Sequence, residues 1–179
     1  GTNTQRWAFT VVNGRADVEA FGEHIAGVFR AVNRVASSGA AKAISKFVPG
    51  DPIKEYAAGY KEKIEEAMEE WRTGTADRLF HGAPVLILVS SLPGATTGPE
   101  DALLATQNML LGAHALGLGT CLIGFAQIAM KLNPLVKPKI GIPWREKVHA
   151  VIALGHPAAS EKYVHVAGRK KPLVRWTTE

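Results

Sequence analysis

Three short segments of the chain carry residue types that bind small molecules. The hydroxyl and amide side chains of residues 2–5 can hydrogen-bond to the carbonyls and ring nitrogens of a heterocycle. The glycines of residues 117–124 let the backbone approach a flat ligand closely and present N–H donors to it. The adjacent cations Arg169, Lys170 and Lys171 suit a phosphate monoester.

Each of these segments has an ordinary structural interpretation when it is taken alone. The first is then a polar turn, the second a helix end followed by a turn, and the third a solvated tail. Taken together, polar side chains, a glycine platform and a cationic clamp are what a flavin mononucleotide (FMN) site requires. The sequence therefore favours a flavin site, and it indicates no residue as a catalytic acid or base.

Other catalytic and metal-binding motifs are missing from the sequence. The glycines of 117–124 follow a helical segment, and the third glycine comes two places late for the G-x-G-x-x-G dinucleotide fingerprint. There is no Walker A loop and no HExxH or GxSxG segment. The histidines show no ligand spacing, and Cys121, the single cysteine, cannot form a four-cysteine zinc site. We therefore expect no metal centre.

The composition is that of an ordinary globular domain. The chain has 179 residues, of which 46% are hydrophobic and 21% are charged, and this excludes a disordered or low-complexity chain. The net charge of +5 comes without a basic stripe interleaved with aromatic residues, which argues against nucleic-acid binding. Neither a signal peptide nor an unbroken apolar span is visible, and the single cysteine favours a reducing compartment. We expect a cytoplasmic protein without membrane association.

Four apolar or β-branched runs predict strands, over Trp7–Val12, Val85–Ser90, Thr120–Ile123 and Val148–Leu154. The second and the fourth are continuous apolar runs, which is typical of buried central strands. Helical patterns fill most of the remaining sequence. The sequence therefore predicts an α+β fold in three layers, with helices around a small sheet.

The helix predicted over residues 99–116 is apolar nearly all round. Pro99, Glu100 and Asp101 open it, and Gly117 is its expected C-terminal cap. We expect such a helix in the middle of the protein, and a position at a subunit interface would also explain its composition.

The order of these segments resembles the nitroreductase family of flavoproteins. Residues 1–9 (GTNTQRWAF) resemble that family's S-x-x-N-x-Q-P-W-x-F segment, with Arg6 where proline is usual. Residues 105–125 resemble the central helix and the loop after it, residues 148–157 the closing strand, and residues 169–173 the basic closing segment. We interpret the whole chain, 1–179, as a single nitroreductase-like domain.

The resemblance implies a fold, an activity and a cofactor. Members of the family have a small mixed or antiparallel sheet flanked by helices, and they are homodimers that bind FMN between the subunits. They are oxidoreductases that take electrons from NAD(P)H and reduce nitroaromatic, quinone or flavin-like acceptors by a ping-pong mechanism. Proton delivery would come from water or from the substrate.

The resemblance also implies a role for particular residues. Thr2, Asn3 and Gln5 would lie against the isoalloxazine ring or the ribityl chain. Ile123 and Gly124 would approach the ring, with the backbone N–H of Gly124 as a donor near the flavin N5 atom. Arg169 and Lys170 would pair with the phosphate.

Two parts of the chain depart from the family pattern. The Arg-rich segment that normally precedes the polar segment is absent, so either an N-terminal segment has been removed or Arg169 and Lys170 hold the phosphate alone. Residues 30–80 match no part of the family, and we interpret them as a helical insertion or lid. The closing segment is similar to that of members fused to an N-terminal ferredoxin-like domain. A ferredoxin-coupled electron-transfer domain and a non-catalytic flavin-binding module are therefore the alternatives.

Overall fold

The computed structural model describes residues 3–36, 61–158 and 170–176. Its sheet has four strands, β1 (Trp7–Asn13), β2 (Val85–Ser91), β3 (Gly119–Leu122) and β4 (Lys147–Gly155). They lie in the order β1-β2-β4-β3, and each neighbouring pair is antiparallel. All four predicted strands are confirmed within one residue at each end.

In the described residues, helices cover both faces of this sheet. They are α1 (Arg15–Ala36), α2 (Lys61–Thr73), α3 (Gly98–Ala115), α4 (Gly124–Leu132) and a 3₁₀ helix (Pro134–Ile140). Of the predicted insertion over residues 30–80, the end of α1 and the whole of α2 are described, whereas residues 37–60 lie outside the described residues. None of the helices in the described ranges is long and apolar enough to span a membrane.

The central strands are apolar on both faces, and this produces the three layers. Leu86 and Leu88 of β2 point into the larger core, which α1, α2 and α4 cover. Val89 points to the other face, where it packs with Ala102 of α3. Because the two faces of β2 alternate in this way, the sheet lies between two helical layers. The predicted α+β architecture is confirmed.

Helix α1 buries one stripe and brings α2 against the core. Phe21, Ile25 and Phe29 are fully buried at helical spacing, and each contributes about 1.5–3 kcal/mol by leaving water. Gly22 lies on the same face, where an added Cβ would come 2.4 Å from the ring of Trp71 in α2. A glycine at this position therefore lets the two helices approach closely.

Helix α3 is buried on one side only. Gly98, Ala102, Thr106 and Ala113 are buried at spacings that place them on one stripe, facing β2 and β4. The opposite stripe carries exposed leucines at positions 103, 104 and 111. The expectation of a helix in the middle of the protein is therefore correct for one face, and the other face is apolar and uncovered in the single chain.

The end of α3 sets the direction in which β3 begins. Gly117 has φ +73°, a left-handed conformation that glycine adopts without a Cβ clash. The N–H of Leu118 donates to the carbonyl of Ala113 at 2.9 Å, and the N–H of Gly117 donates to that of His114 at 3.0 Å. This pair of bonds is a Schellman motif, which confirms Gly117 as the predicted cap.

Candidate functional site

Ile123 and Gly124 lie at the junction between β3 and α4. The N–H of Ile123 donates to the carbonyl of Val151 at 2.8 Å, so the sheet fixes where α4 begins. No side chain among the described residues caps the first turn of α4. The first N–H groups of a helix have no partner within the helix, so those of Gly124 and Phe125 remain available to a ligand. A Cβ added at Gly124 would meet no atom within 4 Å.

A cavity of about 410 Å³ opens beside this junction. Its apolar wall comes from Leu122, Ile123, Phe125 and Ile128, and it also includes Gly124. Two polar side chains, Arg78 and His81, complete the lining. The sequence patterns do not identify these two, because Arg78 falls inside residues 30–80 and His81 directly follows that segment, where no motif distinguishes them from an ordinary charged surface.

Arg78 connects the cavity to α2. Its Nη2 donates to Glu66 Oε1 at 3.2 Å and to Glu70 Oε1 at 2.7 Å. Both bonds lie near the surface, where such pairs contribute at most about 1 kcal/mol each. Arg78 Nε also lies 2.5 Å from Glu70 Oε2, so Glu70 engages the guanidinium at two points and α2 fixes its orientation.

Asp77 fixes the loop that carries Arg78 and His81. Its carboxylate accepts from the N–H groups of Phe80 and Gly82 at 2.8 and 2.9 Å, and from Arg15 Nη1 at 2.8 Å. Burial alone raises the pKa of Asp77, but these hydrogen bonds and the Arg15 charge outweigh it, so the pKa is lowered. The loop accommodates a positive φ of +55° at His81, which non-glycine residues rarely adopt.

The predicted polar segment lies past the other edge of the sheet. Gln5 Nε2 donates to Asn3 Oδ1 at 2.9 Å, and both residues are exposed. The carbonyl of Arg6 accepts from the N–H of Leu92 at 2.8 Å, which holds the segment beyond the end of β2. The hydroxyl oxygen of Thr4 is buried and has no hydrogen-bond partner among the described residues. Thr2 lies outside the described residues.

One chain does not bring this segment to Gly124. The polar segment leads into β1, and Gly124 follows β3, which is the opposite edge strand. Three strand spacings separate the two edges, roughly 14 Å across the sheet before any offset along the strands. Within one chain, the polar segment and Gly124 therefore lie at opposite edges of the sheet.

The basic closing segment is exposed where the structure describes it. Lys170 is exposed, and Arg169 lies outside the described residues. Beyond Lys170 the chain places large apolar side chains in solvent, with Leu173 at 76% exposure and Trp176 at 86%. Lys170 does not line the cavity beside Gly124 in this chain.

A broad apolar surface lies on the α3 side of the sheet. Trp7, Phe9 and Val11 alternate along one exposed face of β1. The side chains opposite them on β2 include Val89, which packs against α3, so these residues and the outward leucines of α3 lie on the same side of the molecule. Isolated exposed leucines are ordinary, but two adjacent apolar elements are typical of an interaction surface.

In the described ranges, no group of three or more His, Cys, Asp or Glu side chains could hold a metal ion. The absence of a metal centre stays a prediction.

Comparisons with known proteins agree with this architecture. A nitroreductase of Bacteroides fragilis with bound FMN superposes with a TM-score of 0.62 at 23% identity, covering 98% of this chain and 79% of its own. A nitroreductase of Desulfitobacterium hafniense with bound FMN gives 0.59 at 20% identity, covering 94% and 74%. An FMN- and NADPH-dependent nitroreductase of Sphigopyxis sp. strain HMH gives 0.54 at 17% identity, covering 94% and 78%.

These identities establish a shared fold. No curated protein matches the sequence. The model of the nitroreductase family matches residues 1–156, which is most of the chain. The chain therefore belongs to the nitroreductase family.

Proposed function

We propose that this chain is an FMN-dependent oxidoreductase that works as a homodimer. The observation that carries the proposal is the cavity at the uncapped start of α4, where Gly124 leaves its N–H groups and the space beside them open. Membership of the nitroreductase family and the FMN bound in the B. fragilis and D. hafniense structures support the choice of ligand.

The residues present suit a flavin. The cavity of about 410 Å³ is within the range of small-molecule sites, and its wall is mostly apolar, as a flat aromatic ring requires. The buried Thr4 hydroxyl without a partner is a second polar group that a ligand or a second subunit would satisfy. FMN, when bound, accepts two electrons and passes them to an acceptor.

Each group of residues then has a distinct task. The N–H of Gly124 would donate to the ring, which favours the electron-rich reduced state, and Arg78, whose charge Glu66 and Glu70 balance, would add a polar contact beside it. Thr2, Asn3 and Gln5 reach the ring or the ribityl chain from the second subunit. Arg169 and Lys170 pair with the phosphate. Protons for the acceptor come from water or from the substrate.

The separation of these groups supports a dimer. One chain holds the polar segment and Gly124 at opposite sheet edges, and a second chain could bring its own polar segment to Gly124. The apolar surface on the α3 side gives the subunits a face to share, with Leu104 67% exposed. We propose that the residues after Lys170 contact the partner subunit as well, because Leu173 and Trp176 are exposed in the single chain.

The segment 30–80 borders the same cavity. Glu66 and Glu70 of α2 hold Arg78, so this part of the segment sets one wall of the site. We propose that the segment limits the size of the acceptor, as a lid would.

We propose NAD(P)H as the electron donor, nitroaromatic, quinone or flavin-like molecules as acceptors, and a cytoplasmic location. The dependence of the Sphigopyxis relative on NADPH supports this donor.

Anaerobic half-reactions test the proposed electron donor. NADPH and NADH are each mixed with the FMN-loaded protein, and bleaching of the flavin spectrum is followed. Bleaching by either nucleotide, reversed by a quinone, is the expected result. Bleaching only by reduced ferredoxin would favour a ferredoxin-coupled domain, and no electron exchange with any donor would favour a flavin-binding module.

A further inference from the structure

A second cavity, of about 350 Å³, lies between α4, the 3₁₀ helix and the start of β4. It shares no lining residue with the cavity beside Gly124. Its polar lining consists of Gln127, Lys131, Lys137, Glu146, Lys147 and His149. Three lysines therefore surround one small space, and the proposed flavin chemistry assigns none of them a role.

A β-bulge places His149 at the edge of this cavity. Val89 pairs with Ala150, but Ser90 pairs with Val148, so His149 is an extra residue in β4 without a partner in β2. Ser91 Oγ and His149 Nε2 are 2.7 Å apart, which fixes the ring. Gln127 Nε2 donates to the carbonyl of His149 at 2.6 Å, which attaches α4 to the bulge.

Lys137 is a deeply placed cation in this lining. Only 7% of it is exposed, and its ammonium donates to the carbonyls of Trp144 and Glu146. Burial lowers the pKa of Lys137, and the nearby Glu146 charge opposes this. Since an ammonium has three N–H groups, one remains after the two carbonyls are satisfied.

The other two lysines approach from the rim. The pKa of His149 is lowered, first by burial and then by the charges of Lys147 and Lys131, with Glu100 opposing them. The charges of both lysines therefore act on the His149 ring. Neither lysine has an ion-pair partner in the ranges that the structure describes.

Negative charge in the cavity does not balance these cations. Glu146 is the single carboxylate in the lining, and it is buried and accepts from Ser90 Oγ at 2.7 Å. Three cations against one engaged carboxylate leave an excess of positive charge, which favours the binding of an anion.

We infer that this cavity is a binding site for a phosphate group. Lysine ammonium groups bind phosphate as point charges, and the amide of Gln127 adds a neutral polar contact. The volume exceeds that of a phosphate ion alone, so a phosphate carried on a small molecule also fits. The inference does not depend on the proposed flavin site, because the two cavities are separate.

The test is calorimetric titration of the FMN-treated, full chain with inorganic phosphate, with sodium chloride holding the ionic strength constant. We expect saturable binding to the wild type and binding about tenfold weaker or more in a Lys131→Gln/Lys147→Gln variant, since each charged hydrogen bond contributes appreciably. A Lys63→Gln/Lys139→Gln variant removes the same charge from exposed lysines outside the cavity, and should bind phosphate like the wild type.

Two further measurements complete the design. Ribose 5-phosphate and ribose are titrated in parallel, where tighter binding of ribose 5-phosphate assigns the site to a phosphorylated small molecule and equal binding assigns it to free phosphate. Flavin retention is recorded on each sample, so failure of the flavin proposal leaves the phosphate result readable. No saturable binding to the wild type, or equal binding to both double variants, would overturn the inference.

Discussion

Asp77 contributes to the candidate site through the backbone. It binds two N–H groups of the loop that carries Arg78 and His81, and the Arg15 pair holds its carboxylate in place. Without these bonds the positive φ at His81 has less to stabilise it. Asp77 is thus a positioning residue for one wall of the cavity.

Replacing this carboxylate should destabilise the chain in a pH-dependent way. We expect Asp77→Asn to lower the free energy of unfolding at pH 7 by about 2 kcal/mol, since part-buried hydrogen bonds to a charge are lost. The pKa of Asp77 is lowered on folding, so its contribution is present above the unfolded value of about 3.9 and is lost as pH falls through the folded pKa. Urea unfolding of both proteins at pH 7 and at low pH measures the difference.

The difference between the two proteins should shrink as the solution becomes acidic. Asp17→Asn, which alters an exposed carboxylate in the first turn of α1, serves as the control and should change stability much less. An Asp77→Asn effect that is constant over the whole pH range would contradict this account of the carboxylate.

Gly124 is open to a direct steric probe. Because an added Cβ meets nothing within 4 Å, Gly124→Ala should fold normally, and Gly124→Leu should project its side chain into the cavity. We expect Gly124→Leu to lose at least about tenfold in FMN affinity with little change in melting temperature. The leucine side chain would occupy space that the ligand needs, and it would clash with no residue of the folded chain. Fluorescence titration with FMN gives the affinities. Equal FMN affinity in the leucine variant and the wild type would place the flavin elsewhere.

Lys170 is predicted to act on the phosphate alone. Lys170→Gln should weaken FMN binding about tenfold and leave riboflavin binding unchanged, because riboflavin lacks the phosphate. The same titration with the two ligands separates these effects. Equal losses for FMN and riboflavin would indicate that Lys170 acts on the ring or on the fold.

At the scale of elements, local sequence patterns predict most of the sheet. The run Val85–Ser90 is continuous and apolar because β2 is covered on both faces, and Gly117 ends α3 because the Schellman turn requires a positive φ. The exposed face of α3 is harder to foresee. Its leucines have the same composition whether they face a core or a second subunit, and periodicity does not separate the two cases.

This exposed face should control assembly. We expect Leu104→Glu/Leu111→Glu to convert a dimer into a monomer, because two carboxylates would be buried in an apolar interface. Light scattering after size exclusion measures the mass. Leu135→Glu, at an exposed leucine of the 3₁₀ helix, is the matched control and should remain dimeric. A wild type that is monomeric at micromolar concentration would refute the interface.

At the scale of the whole molecule, the candidate site is divided between edges of one sheet. The sequence placed Asn3, Gln5 and Gly124 in a single ligand site, and the order β1-β2-β4-β3 separates them within one chain. Motifs name the residues of such a site but do not state which chain supplies them. Arg78 and His81 could not be predicted from sequence, because a loop fixed by Asp77 brings them to the cavity through long-range contacts with Arg15.

The most direct test of the account joins cofactor and assembly in one sample. The purified chain is incubated with FMN and desalted, and its visible spectrum and light-scattering mass are then recorded together. The account predicts a yellow dimer that retains about one FMN per chain, since each site needs parts of both chains. A colourless chain after desalting, or a monomer that retains FMN fully, would contradict it.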